Sequence, residues 1–173
     1  WPFLEEGNET VIAFLPFFHI YGQVVLMLNS LCQGFRIILF TTPDLEEILM
    51  SVERYKASAF FGVPTLFELL REHDKTNQVN WTRLKAVVCG ADALHDATIE
   101  GWERRTKKPI LEGYGMTETT AVSHGTPFDR HKKGSFGVPM PNISAAIIDL
   151  DSNEFTPVGE VGEMILNGPN IMS

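Results

Sequence analysis

Pro109-Ile110-Leu111-Glu112-Gly113-Tyr114-Gly115-Met116-Thr117-Glu118-Thr119 opens like a short buried strand, then breaks into two glycines around a tyrosine and a Thr-Glu-Thr turn. An apolar run that ends on such a turn is half of a strand–turn–helix unit. Similar runs precede it at Val11 to Leu15, Phe35 to Phe40, Ser58 to Phe61 and Leu84 to Cys89, spaced about 25 residues apart, as consecutive βαβ units are. Between them lie helical patterns. Leu45, Ile48, Leu49, Val52 and Tyr55 share one helix face, behind a start signal of Thr42-Pro43-Asp44 with Glu46 and Glu47 in the first turn. A second helix follows Pro64, with Leu66, Phe67, Leu69 and Leu70 as its stripe, and a third begins at Asp96 as N-cap and carries Ile99 and Trp102. Gly22 to Gln33 is apolar on nearly every face, which predicts a buried helix. The alternation predicts an α/β fold: a mostly parallel sheet with flanking helices and right-handed crossovers.

After about residue 121 helical periodicity stops, and Gly134-Ser135-Phe136-Gly137-Val138-Pro139-Met140-Pro141 punctuates the chain. Ile143 to Asp149 and Glu163 to Asn167 read as two strands joined by turn-rich sequence. The expected organisation is an α/β subdomain over 1–128, then a linker and the start of a small β-barrel subdomain, incomplete, over 129–173. With Trp1 at one end and Ser173 just past a strand at the other, the chain is expected to be a segment of something longer.

Of the 173 residues 44% are apolar and 21% charged, which excludes a disordered chain and allows a full core without staples. Fourteen Lys and Arg against twenty-two Asp and Glu leave a net charge of −8. That balance argues against nucleic acid as the main partner, since phosphate backbones are met by clustered cations. The longest apolar stretch, Val11 to Gly22, is broken by Pro16 and His19, so no transmembrane segment is expected. Cys32 and Cys89 sit in apolar runs with no metal-ligand spacing around them, and are expected to be reduced core thiols of a cytoplasmic protein.

In an open parallel sheet ligands bind outside the carboxyl ends of the strands. That rule selects Pro16-Phe17-Phe18-His19, Gly62-Val63-Pro64, Gly90-Ala91-Asp92 and the turn from Gly113 to Thr119. Gly113 and Gly115 permit close backbone approach, and Tyr114 offers a flat face. Thr117 at a helix N-terminus could hold a phosphate, with Glu118 anchoring its Mg²⁺. From the pair alone, a Thr N-cap followed by a dipole-favourable Glu is the plainer reading. His19 is open between a core side chain and a site residue, and the other histidines, in polar surroundings, need no function. Arg130-His131-Lys132-Lys133 reads as a solvated loop.

These turns, in this order, resemble the adenylate-forming superfamily of acyl-CoA synthetases, 4-coumarate-CoA ligases and luciferases. Gly113 to Thr119 is similar to its GYGMTET signature, Pro16 to Gly22 to its P-x-F-H-x-x-G element, and Cys89 to Leu94 to its S-G-A-A-P-L turn. Gly134-Ser135 with Gly137 and Pro139, and Gly159-Glu160 with Gly162-Glu163, resemble later elements of the same domain. The resemblance implies a carboxylic acid, ATP with Mg²⁺, and coenzyme A as co-substrate, in an acid–thiol ligase that forms an acyl-adenylate and then a thioester. It implies that Thr117 bonds phosphate, that Glu118 binds Mg²⁺, and that Tyr114 between Gly113 and Gly115 stacks on adenine opposite Gly90, Ala91 and Asp92. Glu112 would line the nucleotide pocket, His19 would orient the substrate carboxylate, and Tyr21, Gly22, Ala91, Gly115 and Met116 would border the acyl group. Asp92-Ala93 departs from the family's Ala-Pro and is open between an adenine contact and a solvated carboxylate. The apolar pocket residues favour a medium- or long-chain fatty acid. An aryl acid, a carrier-protein acceptor and a non-catalytic nucleotide-binding homologue are the alternatives, and a homodimer is left open. The family's phosphate loop and catalytic lysine have no counterpart in the sequence, which implies that the chain alone is inactive.

Overall fold

The computed structural model describes residues 4–42 and 44–172. Five short strands, β1 (Thr10–Ala13), β2 (Arg36–Leu39), β3 (Ala59–Gly62), β4 (Ala86–Cys89) and β5 (Leu111–Tyr114), pair in parallel. They are joined by β6 (His124–Gly125) and β7 (Val138–Pro139), both antiparallel, into a seven-stranded sheet of order β2-β1-β3-β4-β5-β6-β7. Val138–Pro139 lies beyond residue 128 and still belongs to the main sheet.

Each central strand is buried on both sides, which is why these strands read as unbroken apolar runs. Ile12, Phe60, Val87 and Cys89 face one core, filled by α2 (Leu45–Arg54), α3 (Pro64–Glu72) and α4 (Asp96–Thr106). Val11, Ala13, Ala59, Phe61, Ala86 and Val88 face a second core under Tyr21, Val25 and Leu26. In the first, Trp102 is fully buried and packs edge-on against Phe67 and Trp81, and in parallel with Phe60.

Asp44 caps α2 by accepting from the Glu46 and Glu47 N–H groups, as expected, while Pro43 of that start signal lies outside the described residues. Asp96 does not cap α4. The cap position is His95, and Asp96 is the first helical residue. The segment expected as a buried helix is a wide π-helix, Tyr21–Leu28, running into a short α1 (Asn29–Cys32). Its outer side is open, leaving Leu28, Leu31 and Cys32 exposed, so of the two cysteines only Cys89 is a core thiol. Among the described residues no helix is long and apolar enough to cross a membrane. Ser144–Ile148 (β8) and Glu163–Asn167 (β9) form an antiparallel ribbon, as expected of two strands, and the described residues do not close it into a barrel.

At the amino edge of the sheet the Glu9 side chain is almost wholly buried and bonds to Lys85 Nζ at 2.7 Å. Burial pushes its carboxyl up, but Lys85, Ser58 and the Glu5 N–H outweigh it and hold the carboxyl below its ordinary value. A depressed carboxyl pKa adds stability above the unfolded value, and that stability is lost as pH falls through the folded one. Lys85→Met should therefore lower the thermal midpoint at neutral pH, and the deficit should shrink as acid protonates Glu9. Melting curves across the acidic range check this. Trp102→Ala should cost about 3–5 kcal/mol in urea unfolding, from lost burial and the cavity left behind.

Candidate active site

The carboxyl ends of β1, β4 and β5 open onto one cavity of about 230 Å³. From the segment after β1 it takes His19 and Tyr21, from the turn after β4 Gly90 and Ala91, and from β5 and its turn Glu112, Gly113, Tyr114, Gly115, Met116 and Thr117. These three separated stretches of sequence converge as the strand-end rule requires, while Gly62-Val63-Pro64 after β3 does not line the cavity. Gly22, Asp92 and Glu118 do not line it. A Cβ on Gly22 would stand 2.3 Å from the Pro16 carbonyl oxygen, so this glycine lets the helix pack on the preceding loop and does not border the cavity. Asp92 is exposed, and its carboxylate accepts the N–H of its neighbour Ala93 at 2.7 Å. Glu118 is exposed on the turn just outside the rim.

His19 is exposed at the cavity and is no core side chain. Its Nδ1 accepts the Tyr21 N–H at 3.1 Å, so in the neutral ring the proton sits on Nε2. Tyr21 is buried, its hydroxyl 3.5 Å from the Gly62 carbonyl, and burial pushes its pKa up. Burial, with Glu112 and Asp92 nearby, pushes the Cys89 thiol up to about 12, so it is neutral and unreactive. Burial also pushes the Glu112 carboxyl up, against the opposing pull of His131 and of the Leu94 N–H. Its Oε1 is buried with no hydrogen-bond partner.

The turn after β5 is a single 3₁₀ turn, Thr117–Thr119, and not the start of a longer helix. An accumulated helix dipole is therefore absent here, and Thr117 can act only through its hydroxyl and local N–H groups. Buried Thr119 pins the turn: its Oγ1 accepts the Met116 N–H at 2.8 Å and lies 3.1 Å from the Met116 carbonyl. Behind the cavity, Phe136 packs against the Tyr114 ring at 4.8 Å between centroids, and His124 meets both rings edge-on. His124 is buried, which lowers its pKa, and its Nδ1 lies 3.0 Å from Ser123 Oγ. Neither His124 nor Phe136 was expected at the site. Their polar or glycine-rich neighbours gave no sign that β6 and the loop before β7 fold over Tyr114. Lys133 pairs with Glu100 and Arg130 with Asp129, as suits a solvated loop. Among the described residues no group of three or more His, Cys, Asp or Glu is gathered to hold a metal unaided.

Residues 2–173 match the family model described as AMP-binding enzyme. The chain belongs to the AMP-binding enzyme family. A long-chain-fatty-acid–CoA ligase of Yersinia pestis is 34% identical over 173 residues, covering 99% of this chain and 31% of that protein. Among solved structures, ATP-bound MatB from Rhodopseudomonas palustris superposes with a TM-score of 0.89 at 27% identity, over 99% of this chain and 33% of that one. The long-chain-fatty-acid-CoA ligase FadD1 from Archaeoglobus fulgidus does so at 0.85 and 26%, over 97% of this chain and 35% of that one. The chain thus spans about a third of the length of these relatives.

The glycines of the AMP-binding signature differ in what they do. A Cβ on Gly115 would fall 1.7 Å from the Ala121 carbonyl oxygen, whereas one on Gly113 would meet nothing nearer than 3.6 Å. Gly115→Ala should force the turn apart and lower the unfolding midpoint, while Gly113→Ala should leave it close to that of the unsubstituted chain. Calorimetry on the pair checks the contrast.

Proposed function

We propose that this chain is the nucleotide- and acid-binding part of an AMP-forming fatty acyl-CoA synthetase. The observation that carries the reading is one cavity holding a flat aromatic face, Tyr114 backed by Phe136, beside a buried acceptor with no partner, Glu112 Oε1. A purine offers a ring to the first and an exocyclic amino group to the second. The ATP-bound relative supports the nucleotide, and the curated fatty-acid ligase supports the acid.

Adenine lies against Tyr114, with Gly90 and Ala91 across the slot. The α-phosphate reaches the exposed rim, where the Thr117 hydroxyl donates to it. The substrate carboxylate lies beside His19, whose Nε2–H is directed to it by the Nδ1 bond to Tyr21. The acyl chain runs along Val25, Val88, Leu111, Ala121 and Val122, which line the cavity without a charge among them. A carboxylate oxygen attacks the α-phosphorus as its bond to the pyrophosphate oxygen breaks. The thiol of coenzyme A then loses its proton, and its sulfur displaces AMP from the acyl carbon. The isolated carboxylate of Glu118 suits Mg²⁺, which keeps most of its ligands as water and substrate phosphate. Bound there with the nucleotide, Mg²⁺ would offset charge on the phosphates.

In the complete enzyme, Glu118→Gln should cut ATP–pyrophosphate exchange by about 10²-fold or more. Undiminished exchange in Glu118→Gln would remove that residue from the metal site. A panel of carboxylic acids should show saturated chains preferred over aryl acids. Among the described residues no Lys or Arg lines the cavity, so the 173-residue chain alone is expected to release no pyrophosphate from ATP and a fatty acid.

A further inference from the structure

We propose that Asn170 is a positioning residue: through its side-chain amide, the segment following the β8–β9 ribbon holds the turn that carries Thr117 and Glu118 in its working shape. The consequence for adenylation rests on the roles given to those two residues above.

The turn is strained. Thr120 and Ala121, with φ of 49° and 80°, are consecutive residues in the left-handed region, and neither is glycine. A Cβ disfavours that conformation at each of them, and such residues persist only where their surroundings impose it. The turn also folds hard back on itself, since the Ala121 carbonyl lies where Gly115 would carry a side chain.

Asn170, beyond β9, supplies the constraint. Its Nδ2 donates to the Thr119 carbonyl at 2.6 Å and to the Val122 carbonyl at 3.2 Å, the two residues that bracket the strained pair. Thr120 Oγ1 donates in return to the Asn170 carbonyl at 2.7 Å, and the Met172 N–H donates to the Glu118 carbonyl at 2.9 Å. Two acceptors facing one side chain require two donors, which an amide NH₂ has and a carboxylate lacks. The amide oxygen is buried with no partner of its own. A buried unpaired acceptor is costly, so the side chain is set by what its NH₂ must reach.

All four bonds act on the backbone or on Thr120. None uses the side chain of Thr117 or Glu118, so the strap fixes the path of the turn and leaves both groups free for ligand. His19 and the apolar walls at Val25, Val88 and Leu111 stand on other elements, and of the acid's surroundings only Ala121 and Val122 belong to the turn. Loss of the strap should therefore disturb phosphate and metal handling more than binding of the acid.

The test uses the complete enzyme with Asn170→Asp and Asn170→Ala. For ATP–pyrophosphate exchange, kcat should fall about tenfold or more and the Mg²⁺ concentration for half-maximal rate should rise several-fold, a larger change than in the KM for the acid. Hydrogen–deuterium exchange should show residues 116–122 losing protection while the sheet keeps its own. Unchanged kcat and Mg²⁺ dependence would overturn the positioning role, and so would losses that merely track a general fall in stability. Unchanged protection of 116–122 would overturn the strap itself. An unsubstituted enzyme without any exchange activity would sink the proposed function instead, and the protection measurement would still decide the strap.

Discussion

Burial of the sheet on both faces is the constraint from which the rest follows. With a helical layer over each side, β1, β3 and β4 leave no position along their length for an unpaired polar group, because each would be sealed from water. Ile12 and Val11, Phe60 and Phe61, Val87 and Val88 alternate between two cores, and both cores are apolar. Polar chemistry is thereby driven to the strand ends. At the amino edge it takes the form of the Glu9–Lys85 pair, and at the carboxyl edge it becomes a cavity.

Strand order then decides where along that edge the cavity opens. The chain leaves β1 outward to β2 and returns past it to β3, so the helix after β1 covers one face and α2, α3 and α4 the other. The loop after β1, with His19, is consequently brought to the same side as the turns after β4 and β5. Those turns take conformations that regular structure does not supply. Ala91 has φ of 79°, and Thr120 and Ala121 follow suit on the next turn. Left-handed alanines gain nothing locally, so both of them standing beside the cavity shows that its turns are held in shape by their surroundings.

The five parallel strands and three amphipathic helices were legible because their patterns are local: apolar runs between glycines, and the face shared by Leu45, Ile48, Leu49 and Val52. The signature turn was legible for the same reason, since Gly113 to Thr119 is contiguous. What escaped is what depends on pairing across the chain. His124 reads as a polar-flanked surface histidine until β6 pairs with β5 and sets it opposite Tyr114. Asn170 reads as one polar residue after Gly168 and Pro169 until it reaches Thr119, 51 residues away. The π-helical widening at Tyr21–Leu28 and the exposure of Cys32 escaped because apolar composition does not say how many sides of a helix are covered.

The cavity's electrostatics separate its two ends. Burial moves the groups in its walls toward their neutral forms: the Cys89 thiol and the Tyr21 hydroxyl upward, the Glu112 carboxyl upward, and the His124 imidazole downward. Walls of this kind suit a neutral planar ring and an alkyl chain, and would oppose a buried phosphate. The rim differs, since Met116, Thr117 and Glu118 are all exposed. Phosphate charge placed there keeps water and counter-ions within reach and is spared the cost of entering the walls. The depth of each group is what the proposed placement of the ligand needs: rings and methylenes inward, phosphates at the mouth. It also explains why the residues that would touch phosphate are carried on a turn that needs a strap, since the rim has no core packing to hold its shape.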